Sequence, residues 1–277
     1  MKQLEWDGAH ELTVDGVRFR CDPGNLDGKS DRDRLVLLKD RAVLDQYAAV
    51  FAAAQPRNVL EFGIFQGGSP ALFSLWFELD KFVGIDIGPP VAAFDEFCRT
   101  HPAGKKIRTH YATSQSDQAR IESIVREEFG AAALDVVIDD ASHNYRNSRR
   151  SFEIAFPLLR PGGTYVIEGG WAHWPDVGDR YSGQTPLSVL IMEIIMACAS
   201  RGDLVEEVRV IPSFAFIRKG AAARSAAVTL DRLYSTGGLE IAAYRKLHLG
   251  RIARLATANV AHAARRRLAR ITGRRKS

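Results

Sequence analysis

A doubly wound α/β fold, with a mainly parallel seven-stranded sheet and helices on both faces, is what this sequence predicts, on three observations. Short aliphatic segments alternate with longer amphipathic ones from residue 57 onward, the order that builds a parallel sheet. The segments NVL, VVI and YVI are almost continuously apolar, as strands covered on both faces must be. Of 277 residues, 46% are hydrophobic and 26% charged, which suits one large globular domain, or one domain with extensions, and argues against a disordered chain.

The elements follow in order. Residues 1–31 read as a polar N-terminal extension, with Val14, Val17 and Phe19 suggesting a short strand near Asp15-Gly16. Apolar residues at helical spacing predict a helix over 32–54, with Pro56 just beyond it. The first strand of the sheet spans 57–62. Ser69 and Pro70 offer an N-cap and first-turn pair for a helix carrying Leu72, Phe73, Leu75, Trp76 and Leu79. Strands at 82–87 and 106–111 precede a helix over 116–129. A fourth strand, LDVVID, is followed by a helix over 146–159, which Pro161-Gly162-Gly163 ends. TYVIE is a fifth strand, Thr185 and Pro186 open a helix to about Cys198, and 208–211 with 214–218 form a closing antiparallel pair around Pro212-Ser213. The domain organisation expected is therefore an extension over 1–31, the α/β domain over 32–220 and a basic helical extension over 221–277.

The net charge of +5 conceals an asymmetry. After Glu240 there is no acid and there are 11 Lys and Arg, so residues 1–240 carry 27 bases against 33 acids. A basic amphipathic segment of this kind can contact an anionic surface, or it is a solvated helix docking on the body or on a second subunit; a homo-oligomer is expected. Cys21, Cys98 and Cys198 are odd in number and widely spaced, which argues for a reducing compartment and against a thiolate zinc site. The N-terminus lacks the apolar core of a secretory signal. The most apolar window, 187–199, is broken by Glu193 and too short to span a bilayer. A soluble, cytoplasmic protein is expected.

In such a sheet ligands bind beyond the carboxyl ends of the strands, near the point where strand order reverses. The first strand ends in Glu61-Phe62-Gly63-Ile64-Phe65-Gln66-Gly67-Gly68, a G-x-x-x-G-G turn rather than the G-x-G-x-x-G of dinucleotide folds. The second ends in Asp86, 23 residues after Gly63, a separation at which an acid accepts from both ribose hydroxyls of an adenosine. The fourth ends in Asp139-Asp140 followed by Ser142 and His143, and the fifth in Glu168. Both strands are expected to neighbour the first, so that three acids and an imidazole face one cleft. Each has a bland alternative, a turn cap for Asp140 or Ser142 and a surface position for His143. Their clustering at a strand end favours chemistry.

Across 58–219 the chain resembles the class I S-adenosylmethionine-dependent methyltransferases, a Rossmann-like group. VLEFGIFQGGS looks like the family's first motif, FVGIDI its second, and LDVVIDDASH with LLRPGGTYVIE its fourth and fifth. IDDASH, SFEIAFPLLRPGGTYVIE and the GGS turn are similar, more narrowly, to the sugar O-methyltransferases of macrolide and related antibiotic pathways. The resemblance implies that Glu61, Gly63, Gly67, Gly68, Asp86, Ser116, Asp117 and Asp139 bind S-adenosylmethionine, with Asp86 on the ribose and Ser116 and Asp117 near the adenine. It implies His143 as general base, with Asp140 catalytic and also a divalent-metal ligand together with Glu168. The subgroup usually places a third carboxylate directly after that glutamate, where this chain has Gly169. Two carboxylates with waters and a substrate diol, or Asp176 or Asp179 in the next loop, would have to complete a magnesium site, so metal dependence stays open. If no metal binds, Asp140 orients and charge-stabilises His143. Trp171, His173, Trp174 and Tyr181 form either an acceptor lid or anchors for that loop.

The function expected is O-methylation of a small-molecule hydroxyl, on a sugar of a glycosylated secondary metabolite. The alternatives are an RNA methyltransferase gripping phosphates with the basic tail, a non-catalytic adenosine-cofactor module, and a nicotinamide oxidoreductase. The N/D-P-P-Y motif of many base-methylating enzymes is missing, since the fourth strand runs into Asp-Asp-Ala-Ser, and nucleic acid is not the expected partner. The glycine spacing speaks against a nicotinamide, and the clustered acids with His143 against an inert module.

Overall fold

The computed structural model describes residues 1–169, 185–222 and 228–233. The chain divides into two units, Met1–Leu230 and Asp231–Ser277. Of the second only 231–233 are described, so the basic tail lies outside the described residues.

The first 31 residues, expected as an extension, contribute three strands, β1 (Glu5–Asp7), β2 (Glu11–Val14) and β3 (Val17–Cys21), to a four-stranded sheet completed by β4 (Leu35–Leu37). Asp15-Gly16 is the two-residue turn between β2 and β3, not part of a strand. Both residues have positive φ, 54° and 78°, as a right-twisted hairpin requires. β4 pairs in parallel with β3. The expected helix over 32–54 is thus two elements. The run Leu35-Val36-Leu37 is buried on both sides as a strand, and α1 (Arg41–Ala54) starts only after Asp40, whose carboxylate caps Val43 N–H.

The main sheet has seven strands, in the order β10-β11-β9-β8-β5-β6-β7. β5 (Asn58–Phe62), β6 (Lys81–Ile85), β7 (Ile107–His110), β8 (Leu134–Asp139) and β9 (Leu159–Glu168) are parallel. β11 (Phe214–Lys219) and β10 (Val205–Ile211) close the sheet antiparallel, as expected. Between the strands lie α2 (Gly68–Trp76), α3 (Ala92–Thr100), α4 (Gln118–Phe129), α5 (Tyr145–Ala155) and α6 (Leu187–Ser200). The sequence reading did not include α3, which follows Pro89-Pro90. The helix expected over 146–159 ends at Ala155 because Pro157 has no N–H to continue it, and β9 begins at Leu159, five residues earlier than expected.

Alternation along the strands sorts the two faces. Val59, Val136, Ile138 and Val166 share one core with α1, α2, α3 and the small sheet, through Tyr47, Phe51, Phe73, Phe94, Leu12 and Phe19. Tyr165, on the opposite face, meets Phe152 and Phe156 at the end of α5. Glu193, which interrupts the apolar α6, is buried there as the acceptor for Tyr145 Oη (2.7 Å) and Arg149 Nε (3.0 Å). No helix among the described residues is long and apolar enough to cross a membrane.

Candidate active site

The strand order reverses between β5 and β8, and the site is built at the carboxyl ends of these strands and their neighbours. Gly63 N–H bonds to Ile85 O (2.8 Å) and Asp140 N–H to Phe62 O (3.0 Å), so the loops after β5, β6 and β8 leave the sheet side by side. β8 neighbours β5, as expected. β9 neighbours β8 and not β5, which sets Glu168 one strand farther out.

The glycines of the β5–α2 turn are required by protein contacts. Gly63 and Gly67 have positive φ, 85° and 82°. A Cβ on Gly63 would lie 2.3 Å from Asp140 O, and one on Gly67 2.1 Å from the Phe94 ring. On Gly68 it would lie 2.2 Å from Val36 O, which locks α2 onto β4. Asp86 holds the turn from the other side. Its Oδ2 accepts from Ile64 N (2.8 Å) and Phe65 N (3.0 Å), and its Oδ1 from Gly88 N (2.6 Å). A carboxylate has about four lone-pair positions, so room remains for a ribose hydroxyl.

Glu61 is fully buried. Its Oε2 accepts from Ser69 Oγ (2.6 Å), while its Oε1 has no hydrogen-bond partner among the described residues. Burial pushes its carboxyl up to about 8, against the pull of Lys39 and Ser69. A buried carboxylate oxygen left without a partner is costly, and Oε1 has no surface open to solvent. The glycine turn and the Asp86 carboxylate are the residues that fit S-adenosylmethionine.

Asp139 requires a correction. Expected on the cofactor, it is only 2% exposed, and its carboxylate is spent inside the protein. Ser151 Oγ (2.6 Å) and Tyr165 Oη (3.2 Å) donate to Oδ2 and Gln115 Nε2 (3.0 Å) to Oδ1. Burial raises its pKa. Gln115, which carries no motif signal, accepts from Ser142 N (3.1 Å) with its other end. It thereby ties the loop after β7 to the loop that carries His143. Ser116 and Asp117 sit on that first loop. Ser116 pairs with Ser114 Oγ (2.9 Å) and Asp117 caps α4 at Arg120 N (3.1 Å).

Around Asp140 the structure adds a residue that sequence reasoning missed. Lys39, 2% exposed, donates to Asp140 Oδ2 (2.6 Å) and to Glu168 Oε2 (2.6 Å). Tyr47 Oη donates to the same Glu168 oxygen. Burial alone would lower the lysine's pKa; Asp140, then Glu168 and Glu61, more than reverse that, and the ammonium stays charged. Burial and the Asp140 charge push Glu168 up to about 7, while Lys39 pulls it down. His143 Nε2 lies 3.6 Å from Asp140 Oδ1, at ion-pair distance. Lys39 and Tyr47 carry no signal in sequence, since their partners are 101 to 129 residues away.

At the two positions where a divalent metal was left open by the sequence, a lysine already stands. Asp140 and Glu168 both turn an oxygen to an ammonium, and Gly169 has no side chain to ligate with. Among the described residues no group of three or more His, Cys, Asp and Glu is placed to hold a metal ion. Asp176 and Asp179, with Trp171, His173, Trp174 and Tyr181, lie outside the described residues.

No family model matches the sequence. The chain is 34% identical over 138 residues to mycinamicin VI 2''-O-methyltransferase of Micromonospora griseorubida, which is 47% of this chain and 31% of the relative. It is 32% identical over 148 residues to 8-demethyl-8-(2-methoxy-alpha-L-rhamnosyl)-tetracenomycin-C 3'-O-methyltransferase of Streptomyces olivaceus, 49% of this chain and 35% of the relative. The chain thus spans about a third of the length of the curated relatives it matches. Among solved structures it is similar to MycE methyltransferase from the mycinamycin biosynthetic pathway in complex with Mg, SAH and mycinamycin VI. That match has a TM-score of 0.51 and 30% identity, and covers 64% of this chain and 49% of the other.

Proposed function

We propose, for a chain that is similar over its Rossmann-like domain to the class I S-adenosylmethionine-dependent methyltransferases of the macrolide and sugar O-methyltransferase group, that it methylates a hydroxyl of a small molecule, on a sugar of a glycosylated metabolite. The observation that carries this reading is the meeting, at the carboxyl ends of the central strands, of the Asp86-braced glycine turn and the Lys39–Asp140–His143 array.

When bound, the cofactor supplies an electrophilic methyl on its sulfonium. The glycine turn, with Glu61 beneath it, would hold the amino-acid portion and Asp86 the ribose hydroxyls, while Ser116 and Asp117 would border the adenine. Such contacts would position the methyl group. Alignment of this kind is worth on the order of 7–11 kcal/mol in favourable cases. A sugar hydroxyl has a high pKa, so its proton must be taken as the oxygen attacks. His143 takes it. Asp140 stabilises the imidazolium from 3.6 Å, and Lys39 on its other oxygen keeps Asp140 turned to that task.

Calorimetry on the full chain is expected to show S-adenosylmethionine binding with no comparable response to NAD. Assay against glycosylated metabolites is expected to show transfer to a sugar hydroxyl. His143 has a positive φ of 49°, so His143→Asn, at ease in that backbone, is the cleaner variant. It is expected to retain cofactor affinity and to lose methyl transfer by roughly a hundredfold or more. Unchanged turnover would remove His143 from this role.

A further inference from the structure

We propose that Lys39 takes the place of a divalent cation, so that this site works without a bound metal. The inference rests on the methyltransferase reading, in which Asp140 and Glu168 are the metal-ligand positions.

The Lys39 ammonium lies 2.6 Å from an oxygen of each carboxylate. Magnesium bridging the same two oxygens at about 2.0–2.1 Å would have to occupy the gap that Nζ fills. The two cations are alternatives, and the protein has built in one of them. Lys39 stands two residues beyond the end of β4, and Asp40, the next residue, caps α1. Its Nζ lies 5.5 Å from the centre of the Tyr47 ring, and the Tyr47 hydroxyl donates to the Glu168 oxygen that Lys39 also holds. Glu168 therefore has two fixed donors on one oxygen.

The position after Glu168 agrees. Gly169 has a φ of 65°, where a side chain is strained, and a Cβ there would come within 3.3 Å of His143 Cε1. A side chain there would share space with the His143 ring, although aspartate is among the residues that tolerate this backbone.

An ammonium reproduces part of what a metal does. It neutralises the carboxylates and fixes their direction. It donates hydrogen bonds and has no empty orbital for a hydroxyl oxygen, so it cannot acidify the acceptor as a Lewis acid does. Proton removal then falls wholly to His143. Lys39 acts through Asp140 and is a positioning residue.

The test uses Mn2+ as a paramagnetic probe on the full chain, with and without S-adenosylmethionine. The wild type is expected to show no saturable site up to about 1 mM, the weak end for carboxylate sites, and to turn over unchanged in a strong chelator. Lys39→Met is expected to gain a Mn2+ site that Glu168→Gln then removes, and to lose turnover about ten- to a hundredfold, restored in part by Mg2+. A merely structural lysine would give no such rescue. Stoichiometric Mn2+ on the wild type that Glu168→Gln abolishes would overturn the proposal, as would chelator-sensitive turnover or a folded Lys39→Met that binds no Mn2+. Should Lys39→Met fail to fold, the wild-type titration decides alone, with Lys39→Arg expected to remain metal-free. The Mn2+ readout needs no turnover, so a chain that fails to bind S-adenosylmethionine sinks the methyltransferase reading separately.

Discussion

Glu61 ties the burial of one side chain to the pH dependence of the fold. Its folded carboxyl sits at about 8, mainly through burial, against an ordinary value of 4.5. A raised carboxyl means that the folded state holds a proton the unfolded chain releases. The stability tied to that proton is fully present below the ordinary value and is lost as pH rises through about 8. Glu168, pushed up to about 7 by burial and by Asp140, acts in the same direction. Thermal unfolding of the cofactor-free protein is therefore expected to move to lower temperature between about pH 5 and pH 8, and Glu61→Gln to flatten that decline. A decline just as steep in the variant would assign the effect elsewhere.

At the level of elements, the β5–α2 turn is where glycine is demanded most. Gly67→Ala combines a φ of 82° with a Cβ 2.1 Å from the Phe94 ring, and is expected to lower stability by about 1–3 kcal/mol in urea unfolding. Gly202→Ala, with nothing within 4 Å and no positive φ, is expected to stay within about 0.5 kcal/mol and serves as the control. This turn also shows what the sequence made legible. The aliphatic runs of β5, β6, β8 and β9 and their terminal acids were readable because burial on both faces leaves a compositional mark. The placement of Asp86, Asp140, His143 and Glu168 at or just beyond strand ends is legible for that reason. β4 was not, since Leu35-Val36-Leu37-Leu38 serves a helix pattern as well as a strand. Asp139 was misassigned because its neighbour Asp140 has the same side chain, and only alternation across the sheet separates a carboxylate turned to Ser151 and Tyr165 from one turned to the cleft. Lys39 could not be seen at all, because a charge between a short strand and a helix cap reads as solvent-facing until the tertiary contacts are known.

Over the whole molecule, the small N-terminal sheet and the large sheet share one core. Phe19, fully buried, belongs to the same cluster as Phe73, Phe82 and Phe94. Phe19→Ala is expected to cost about 3–5 kcal/mol and to shift a single transition, seen alike by fluorescence and circular dichroism. Two separated transitions would show the N-terminal strands to be a distinct cooperative unit. The lysine clasp has a further consequence for how the chain is made. Lys39 emerges from the ribosome long before Asp140 and Glu168, which follow 101 and 129 residues later. An ammonium desolvated without them would be expensive, so the nascent segment from β4 into α1 stays wetted until the end of β9 has been translated. A product truncated between residues 140 and 168 is expected to leave that clasp half shut, with Lys39 holding one carboxylate instead of two.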